Sequence, residues 1–264
     1  MGISCVKNMS KEEILRSTIR EELSNKIPAE LIDSVLISYE RVLTEFRKGR
    51  WEETLWSAGK FAENTFRILV FLSEGKVERE CPNFAEVRAV LEKSPSEKLP
   101  ESVRLLIPRV ASSFVYDLRS KRAVVHVKEI EPYYMDANLV LYACSWILAE
   151  FVRLYHTSDT QKVMEILNEL IQRKVPFIEM HEGKTFVTKP IDCQSEILLL
   201  LLNSPKGANR KEIGSVLGRN YTQGRITQSL QELEAARQIL KPKENYIISG
   251  PGEERINKVL SKFS

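Results

Sequence analysis

The residues best suited to chemistry in this sequence lie in one short basic segment, Arg119-Ser120-Lys121-Arg122, which His126 follows. Histidine exchanges protons near neutral pH, and the planar guanidinium of arginine donates two parallel hydrogen bonds to a phosphate. Cleaving RNA without a metal needs a base for the 2′-hydroxyl, a proton donor for the leaving 5′ oxygen and a cation for the pentavalent phosphorane. The segment contains these residue types. Its alternative interpretation is a solvated basic turn with one surface histidine.

Predicted helices flank this segment and must position it. The helix after it, Ala137 to His156, is apolar nearly all round, so we expect it in the core, with Asp136 as its N-cap. Two earlier helices, at about 30–48 and 51–73, repeat apolar residues every three or four positions. Gly49 separates them, which predicts a helical hairpin.

The segment Leu118-Arg-Ser-Lys-Arg-Ala-Val-Val-His126-Val resembles the signature of the HEPN superfamily. That signature is an Arg, a polar residue and then a His, with a spacing of about four to six residues. Arg119 matches the Arg, Ser120 the polar residue and His126 the His, with six residues between Arg119 and His126. In the family the polar position is more often Asn, Asp or His than Ser.

The flanking helices extend this resemblance over roughly residues 30–156. Their segments Gly49-Arg-Trp-Glu-Glu-Thr-Leu-Trp-Ser-Ala-Gly and Met135-Asp-Ala-Asn-Leu-Val look like those of a bacterial HEPN domain. The resemblance implies an all-helical domain that dimerises and brings two motifs into one cleft. Many members are metal-independent endoribonucleases, often toxins or antiviral effectors, and others only bind nucleotides or proteins.

The resemblance also implies roles for the residues of the motif. Arg119 would hold the phosphate, His126 would transfer protons and Ser120 would orient the site. Lys121 and Arg122 are predicted to bind RNA phosphates, with ordinary solvated charges as the alternative interpretation.

The C-terminal part of the chain has a different pattern. From Cys193 the predicted order is a helix, a short helix, a longer helix and a hairpin, which is the order of a winged helix-turn-helix domain. Residues 193–264 contain eleven Lys or Arg against seven Asp or Glu, a net charge of +4, whereas the whole chain has +3. This basic bias suits a nucleic-acid partner.

The longer helix, which begins at about Thr222, is the predicted reading helix, with Tyr221 directly before it. Gln and Arg match the edges of adenine and guanine, and Thr and Tyr match phosphates. The predicted nucleic-acid ligands are Arg219, Tyr221, Thr222, Gln223 and Arg225, flanked by Lys206, Arg210 and Lys211 and by Lys241 and Lys243 on the predicted wing. In the alternative interpretation this domain packs against its own chain or another protein.

Other classes of site have no support in the sequence. The four cysteines are scattered, and neither His156 nor His181 has a partner at metal-ligand spacing, so we predict no metal and no cofactor. A Walker phosphate loop and a dinucleotide-binding glycine motif are absent. The longest apolar run, Ile197–Leu202, is too short to span a bilayer, and residues 1–10 contain no secretory signal. We therefore expect a cytoplasmic protein without a membrane partner.

Together these patterns predict a mainly α protein in three parts. Residues 1–156 form an HEPN-like helical domain, residues 157–190 a connecting helix and β-hairpin, and residues 191–264 a small winged helix-turn-helix domain. The expected activity is metal-independent cleavage of RNA by a homodimer, with a toxin or antiviral defence role implied by the family, and with duplex DNA as a further partner of the winged helix. Two alternatives stay open: a non-catalytic DNA-binding regulator with a helical dimerisation domain, and a protein-interaction adaptor.

Overall fold

The structure is a computed structural model that describes residues 11–122, 134–156, 160–171, 174–181, 184–204 and 206–262. It is mainly helical, with 70% helix and 6% strand, which confirms the predicted mainly α class. His126 lies outside the described residues.

The chain divides into two compact units. Unit 1 comprises residues 1–44, 52–132 and 136–172, and unit 2 comprises residues 45–51, 133–135 and 173–264. The helix of the predicted connecting segment belongs to unit 1, and its hairpin belongs to unit 2. The predicted domain bounds are not decided by this grouping and stay a prediction.

Unit 1 consists of α-helices and of one helical segment, Ser102–Arg122, that alternates between π and α geometry. Apolar spacing predicts a helix over this segment, but not its π turns. In chain order the elements are α1 (Lys11–Leu23), α2 (Ala29–Arg47), α3 (Trp51–Glu74), α4 (Phe84–Lys93), π1 (Ser102–Leu106), α5 (Ile107–Arg109), π2 (Val110–Tyr116), α6 (Asp117–Arg122), α7 (Tyr134–Tyr155) and α8 (Thr160–Ile171). Unit 2 also includes the last residues of α2, the first residue of α3 and the first residues of α7.

The core of unit 1 is formed largely by α2, α3 and α7, with a smaller contribution from α1. Its largest fully buried side chains include Ile19, Leu55, Phe61, Phe66 and Phe151. The hydroxyl groups of Tyr39 and Ser145 are 2.7 Å apart and join α2 to α7 inside this core. Burial of these apolar faces, rather than helix propensity alone, stabilises the helices.

The start of α7 corrects one prediction. Asp136 is not the N-cap, because the helix already includes Tyr134, and Asp136 is buried in its first turn. The ring of Tyr134 packs against the rings of Phe46 and Trp51, with centroids 5.9 and 5.5 Å apart. These aromatic contacts stabilise the helical conformation of Tyr134, so the helix begins before Asp136.

α7 is also the one helix of the described residues that is long and apolar enough to cross a membrane. Of the tested stretch, 61% is buried inside the fold. A mostly buried helix of this kind is what the core of a soluble protein contains.

In its described residues, unit 2 contains two small sheets and four further helices. Its elements are β1 (Ile178–His181), β2 (Lys184–Val187), α9 (Cys193–Leu202), β3 (Ala208–Asn209), α10 (Arg210–Leu217), α11 (Gln223–Ala235), β4 (Ile239–Leu240), β5 (Asn245–Ile248) and α12 (Gly250–Leu260). The predicted hairpin is confirmed as the antiparallel pair β1–β2, with Ile178 opposite Val187. The second sheet has the order β3-β5-β4, and both of its pairs are antiparallel.

Side-chain caps fix where the helices of unit 2 begin. Asp192 caps α9, Asn209 forms a capping box with Glu212 at α10, Thr222 caps α11 and Ser249 caps α12. In α9 every residue except Gln194 is buried, so this helix is the centre of the unit. Caps of this kind satisfy backbone N–H groups that the helix leaves unpaired.

Candidate functional site

Arg119 lies on α6, three residues after the end of the π2 stretch. π geometry is rare and occurs mostly as single turns, frequently at functional sites. Because π turns change the number of residues per turn, the α-helical repeat does not predict which way a side chain after them points. The direction of Arg119 therefore has to be found from its contacts.

The side chain of Arg119 lies against the backbone of α3 at Gly59. A Cβ atom added to Gly59 would be 3.1 Å from each of the Cγ, Cδ and Nε atoms of Arg119, which is closer than side chains normally pack. The Nε–H group is buried and has no hydrogen-bond partner within the described residues. A buried donor without an acceptor costs roughly 1–3 kcal/mol, so this arrangement reduces stability.

An aromatic ring holds the other end of the same side chain. The central carbon of the Arg119 guanidinium is 5.5 Å from the ring centroid of Tyr116, within range of cation–π attraction. Tyr116 packs edge-on against Phe84 at 4.8 Å, and Phe84 stacks on Phe66 at 3.9 Å. Because Phe66 belongs to α3, these rings connect Tyr116 back to the helix that contains Gly59.

Two further residues of the predicted segment lie on α6 beside Arg119. Ser120 is half-buried and Lys121 is exposed, both on α6, and Arg122 is the last residue of that helix. Adjacent residues of a helix do not lie side by side on one face, so Ser120 and Arg119 point in different directions. The predicted pairing of Arg119 with His126 stays a prediction, because His126 is outside the described residues. Within the described ranges no three His, Cys, Asp or Glu side chains form a group that could hold a metal ion.

At the start of α11, the predicted phosphate ligands have partners inside the protein. The side chain of Thr222 accepts a hydrogen bond from the backbone N–H of Arg225 at 3.3 Å, as a helix cap. The hydroxyl of Tyr221 donates to the backbone oxygen of Ile191 at 2.6 Å and lies 3.0 Å from a carboxylate oxygen of Glu196. Both side chains therefore stabilise the fold of unit 2.

Gln223, the predicted adenine ligand, also has a hydrogen-bond partner inside the protein. Arg210 on α10 donates to the backbone oxygen of Gln223 at 2.8 Å and to its side-chain oxygen at 2.9 Å. Arg210 bonds to Thr227 one turn further along α11 as well. This arginine, expected beside a nucleic-acid backbone, links α10 to the first turns of α11.

The two remaining predicted ligands are exposed arginines. The central carbon of the Arg219 guanidinium is 4.2 Å from the ring centroid of Phe186 on β2. Stacking covers one face of a guanidinium and leaves its N–H edge for hydrogen bonds. Arg225, in the first turn of α11, is exposed as well. Among the five ligands predicted around the start of α11, these two present charge to solvent, and the flanking Lys206, Lys211, Lys241 and Lys243 are exposed as well.

A buried acid lies beneath the start of α11. Glu196 is 1% exposed, and burial raises the pKa of its carboxyl group. One of its oxygens, Oε1, lies 3.0 Å from the Tyr221 hydroxyl, and the other, Oε2, is buried without a partner among the described residues. Burial also raises the pKa of the Tyr221 hydroxyl, which keeps it protonated as a donor.

Sequence reasoning did not single out Gly59, Phe186 or Glu196. A glycine inside an apolar helix was a signal for Gly59, because such a glycine usually has a packing or functional reason. The contacts of Phe186 and Glu196 join distant segments and leave no local pattern. Compared with known proteins, the chain matches no family model, no curated protein and no solved structure.

Proposed function

We propose that this protein is a metal-independent endoribonuclease that holds the scissile phosphate of RNA with Arg119. The observation that carries the proposal is a half-buried guanidinium that is held on two sides and has no ion-pair partner within the described residues. Charged groups in such surroundings are normally paired, so this one is suited to an anionic ligand. A phosphodiester matches its planar array of donors.

The proposed reaction uses the 2′-hydroxyl of the substrate as the nucleophile. His126 accepts or donates the proton, Arg119 stabilises the charge of the pentavalent phosphorane, and Ser120 orients the site. The bond from phosphorus to the 5′ oxygen breaks, the leaving oxygen takes up a proton, and a 2′,3′-cyclic phosphate remains. No metal participates in this scheme.

A homodimer belongs to the same proposal. One motif supplies a single histidine, whereas cyclisation is best served by two proton-transfer groups, and a two-fold axis repeats the same residues. We also propose a cytoplasmic location, and a toxin or antiviral defence role follows from the resemblance to HEPN proteins. Light scattering checks the dimer: an active protein that is monomeric at high concentration would contradict this part.

The activity is tested with labelled RNA and with DNA of the same sequence, in the presence of EDTA. We expect cleavage of RNA only, with 2′,3′-cyclic phosphate ends, because DNA lacks the nucleophile. Arg119→Ala and His126→Ala should each reduce the rate by about a hundredfold or more. Loss of activity in EDTA, or full activity of His126→Ala, would make the proposed mechanism wrong.

For unit 2 we propose a winged helix-turn-helix that binds nucleic acid through the start of α11. The order of helices and strands from α9 to β5 and the antiparallel sheet β3-β5-β4 support this proposal. Charge supports it too, since residues 213–231 contain Arg219 and Arg225 and no Asp or Glu.

The second candidate function is a DNA-binding regulator without catalytic activity. The exposed Arg219 beside Phe186, in the turn between α10 and the proposed reading helix α11, favours it. A gel-shift assay with separate duplex DNA and RNA distinguishes the two functions. Tight binding of duplex DNA together with no cleavage of any RNA would support the regulator and contradict the RNase.

A further inference from the structure

Gly59 is an unusual residue for its place in the fold. It lies in the middle of the long helix α3, is buried, and has no positive φ angle that would require glycine. Glycine in a helix interior costs about 1 kcal/mol relative to alanine. An apolar helix that keeps a buried glycine therefore needs a compensating contact at that position.

That contact is with Arg119. All three atoms nearest to an added Cβ, each at 3.1 Å, are Cγ, Cδ and Nε of this one side chain. A glycine that served only helix packing would have core side chains or another backbone at this point. Here the missing side chain leaves space for the length of the arginine.

We infer that Gly59 is a positioning residue that sets where the Arg119 guanidinium lies. Gly59 supports the stem of the side chain, and Tyr116 contacts the guanidinium itself at 5.5 Å. Its role in catalysis rests on the proposed ribonuclease function. Gly59 touches no substrate in this scheme and acts through Arg119.

The first test is the Gly59→Ala variant, whose new methyl group requires Arg119 to shift by a few tenths of an ångström. We expect kcat to fall about tenfold with little change in KM, because misplacing a group that acts in the transition state lowers the rate more than binding. Gly250→Ala is the matched control, since a Cβ there has no atom within 4 Å, and it should keep wild-type kinetics.

A double-mutant cycle separates positioning from a general structural effect. If Gly59 acts through Arg119, the Gly59→Ala change should have no further effect on kcat in an Arg119→Ala background. Independent, multiplied losses in the double variant would overturn the inference.

The second test does not depend on activity. The buried Nε–H of Arg119 should exchange slowly with water in ¹⁵N–¹H spectra, and Arg119→Lys identifies its signal by removing it. Exchange should become faster in Gly59→Ala and stay unchanged in Gly250→Ala. An unaltered signal in Gly59→Ala would overturn the inference.

Two remaining outcomes also decide between explanations. If Gly59→Ala does not fold, then Gly59→Ala combined with Arg119→Ala should fold, because alanine lacks the Cγ, Cδ and Nε atoms that the new methyl group would meet; failure of both variants contradicts the inference. If the wild type cuts no RNA, the proposed function is wrong, and the exchange and folding measurements still decide whether Gly59 positions Arg119.

Discussion

Arg119 in unit 1 and the start of α11 in unit 2 contain similar residue types, but their polar atoms are used differently. At the start of α11, Tyr221, Thr222 and Gln223 already have hydrogen-bond partners inside the protein. At Arg119, the buried Nε–H has none within the described residues. The comparison teaches that residue types indicate a region, whereas the contacts inside the protein show which polar atoms are already used.

The largest effect is expected from Arg119→Ala. Cleavage should fall by about a hundredfold or more, because the phosphorane loses its cation. Stability should change little or increase, since the variant also removes a buried donor without an acceptor. Cleavage rates and thermal unfolding measure the two effects.

Arg109→Ala is the control for this variant. Arg109 lies on the same helical segment, is exposed and pairs with Glu92 at 3.5 Å, and an exposed pair of this kind contributes little to stability. Equal loss of activity in both variants would contradict a specific role for Arg119.

The next effect concerns the charges that unit 2 presents to solvent. Replacing both Arg219 and Arg225 by Ala should weaken nucleic-acid binding and reduce the slope of log affinity against log salt by about 2, because each phosphate contact releases counterions. Fluorescence anisotropy over a salt series measures the slope. The control is Lys258→Ala combined with Lys262→Ala, which removes two exposed charges on or after α12 and should leave the slope unchanged. An unaltered slope in the variant that lacks Arg219 and Arg225 would show that α11 is not the binding surface.

Tyr221→Phe tests a residue before α11 whose hydroxyl is used inside the protein. It should lower the free energy of unfolding of unit 2 by about 1–3 kcal/mol, because it removes the hydrogen bond to the backbone oxygen of Ile191 and leaves the buried Glu196 carboxyl without the neighbouring hydroxyl. Nucleic-acid affinity of the folded variant should stay close to that of the wild type. Tyr246→Phe is the control. A Tyr221→Phe variant that loses much of its affinity but keeps normal stability would show that Tyr221 is a nucleic-acid ligand.

The smallest effect is a pH dependence at Glu196. Because burial raises the pKa of this carboxyl group in the folded state, the folded protein prefers its neutral form. Its contribution is complete below the ordinary pKa of glutamate and is lost as pH rises through the raised value. The melting temperature of Glu196→Gln relative to wild type should therefore increase from acidic to neutral pH; a constant difference would contradict this assignment.

Elements with local signals could be predicted from the sequence. Apolar spacing predicted α3 to within a residue of its observed end at Glu74, and Thr222 was placed at the start of the helix that it caps. The prediction of Asp136 as a cap was wrong, because the contact of Tyr134 with Phe46 and Trp51 is tertiary. Local patterns contain no information about such contacts.

The candidate site was less accessible to sequence reasoning. Arg119 was identified by its residue type and by its spacing from His126, but the approach of Gly59 depends on how two distant helices pack. The sequence predicts Gln223 and Tyr221 as ligands because an amide group suits a base and a hydroxyl group suits a phosphate. The same groups bind equally well to Arg210 and Glu196, and only a structure distinguishes the two uses.

The π turns ahead of Arg119 have a consequence for insertions and deletions. Each π turn contains an extra residue, because its hydrogen bonds reach the fifth residue along the chain instead of the fourth. One residue corresponds to a rotation of about 100° around a helix axis. A deletion at the exposed Ser113 inside π2 would therefore rotate Tyr116 and Arg119 together away from Gly59, with all three residues unchanged. The length of this segment is thus as much a part of the site as the residues in it.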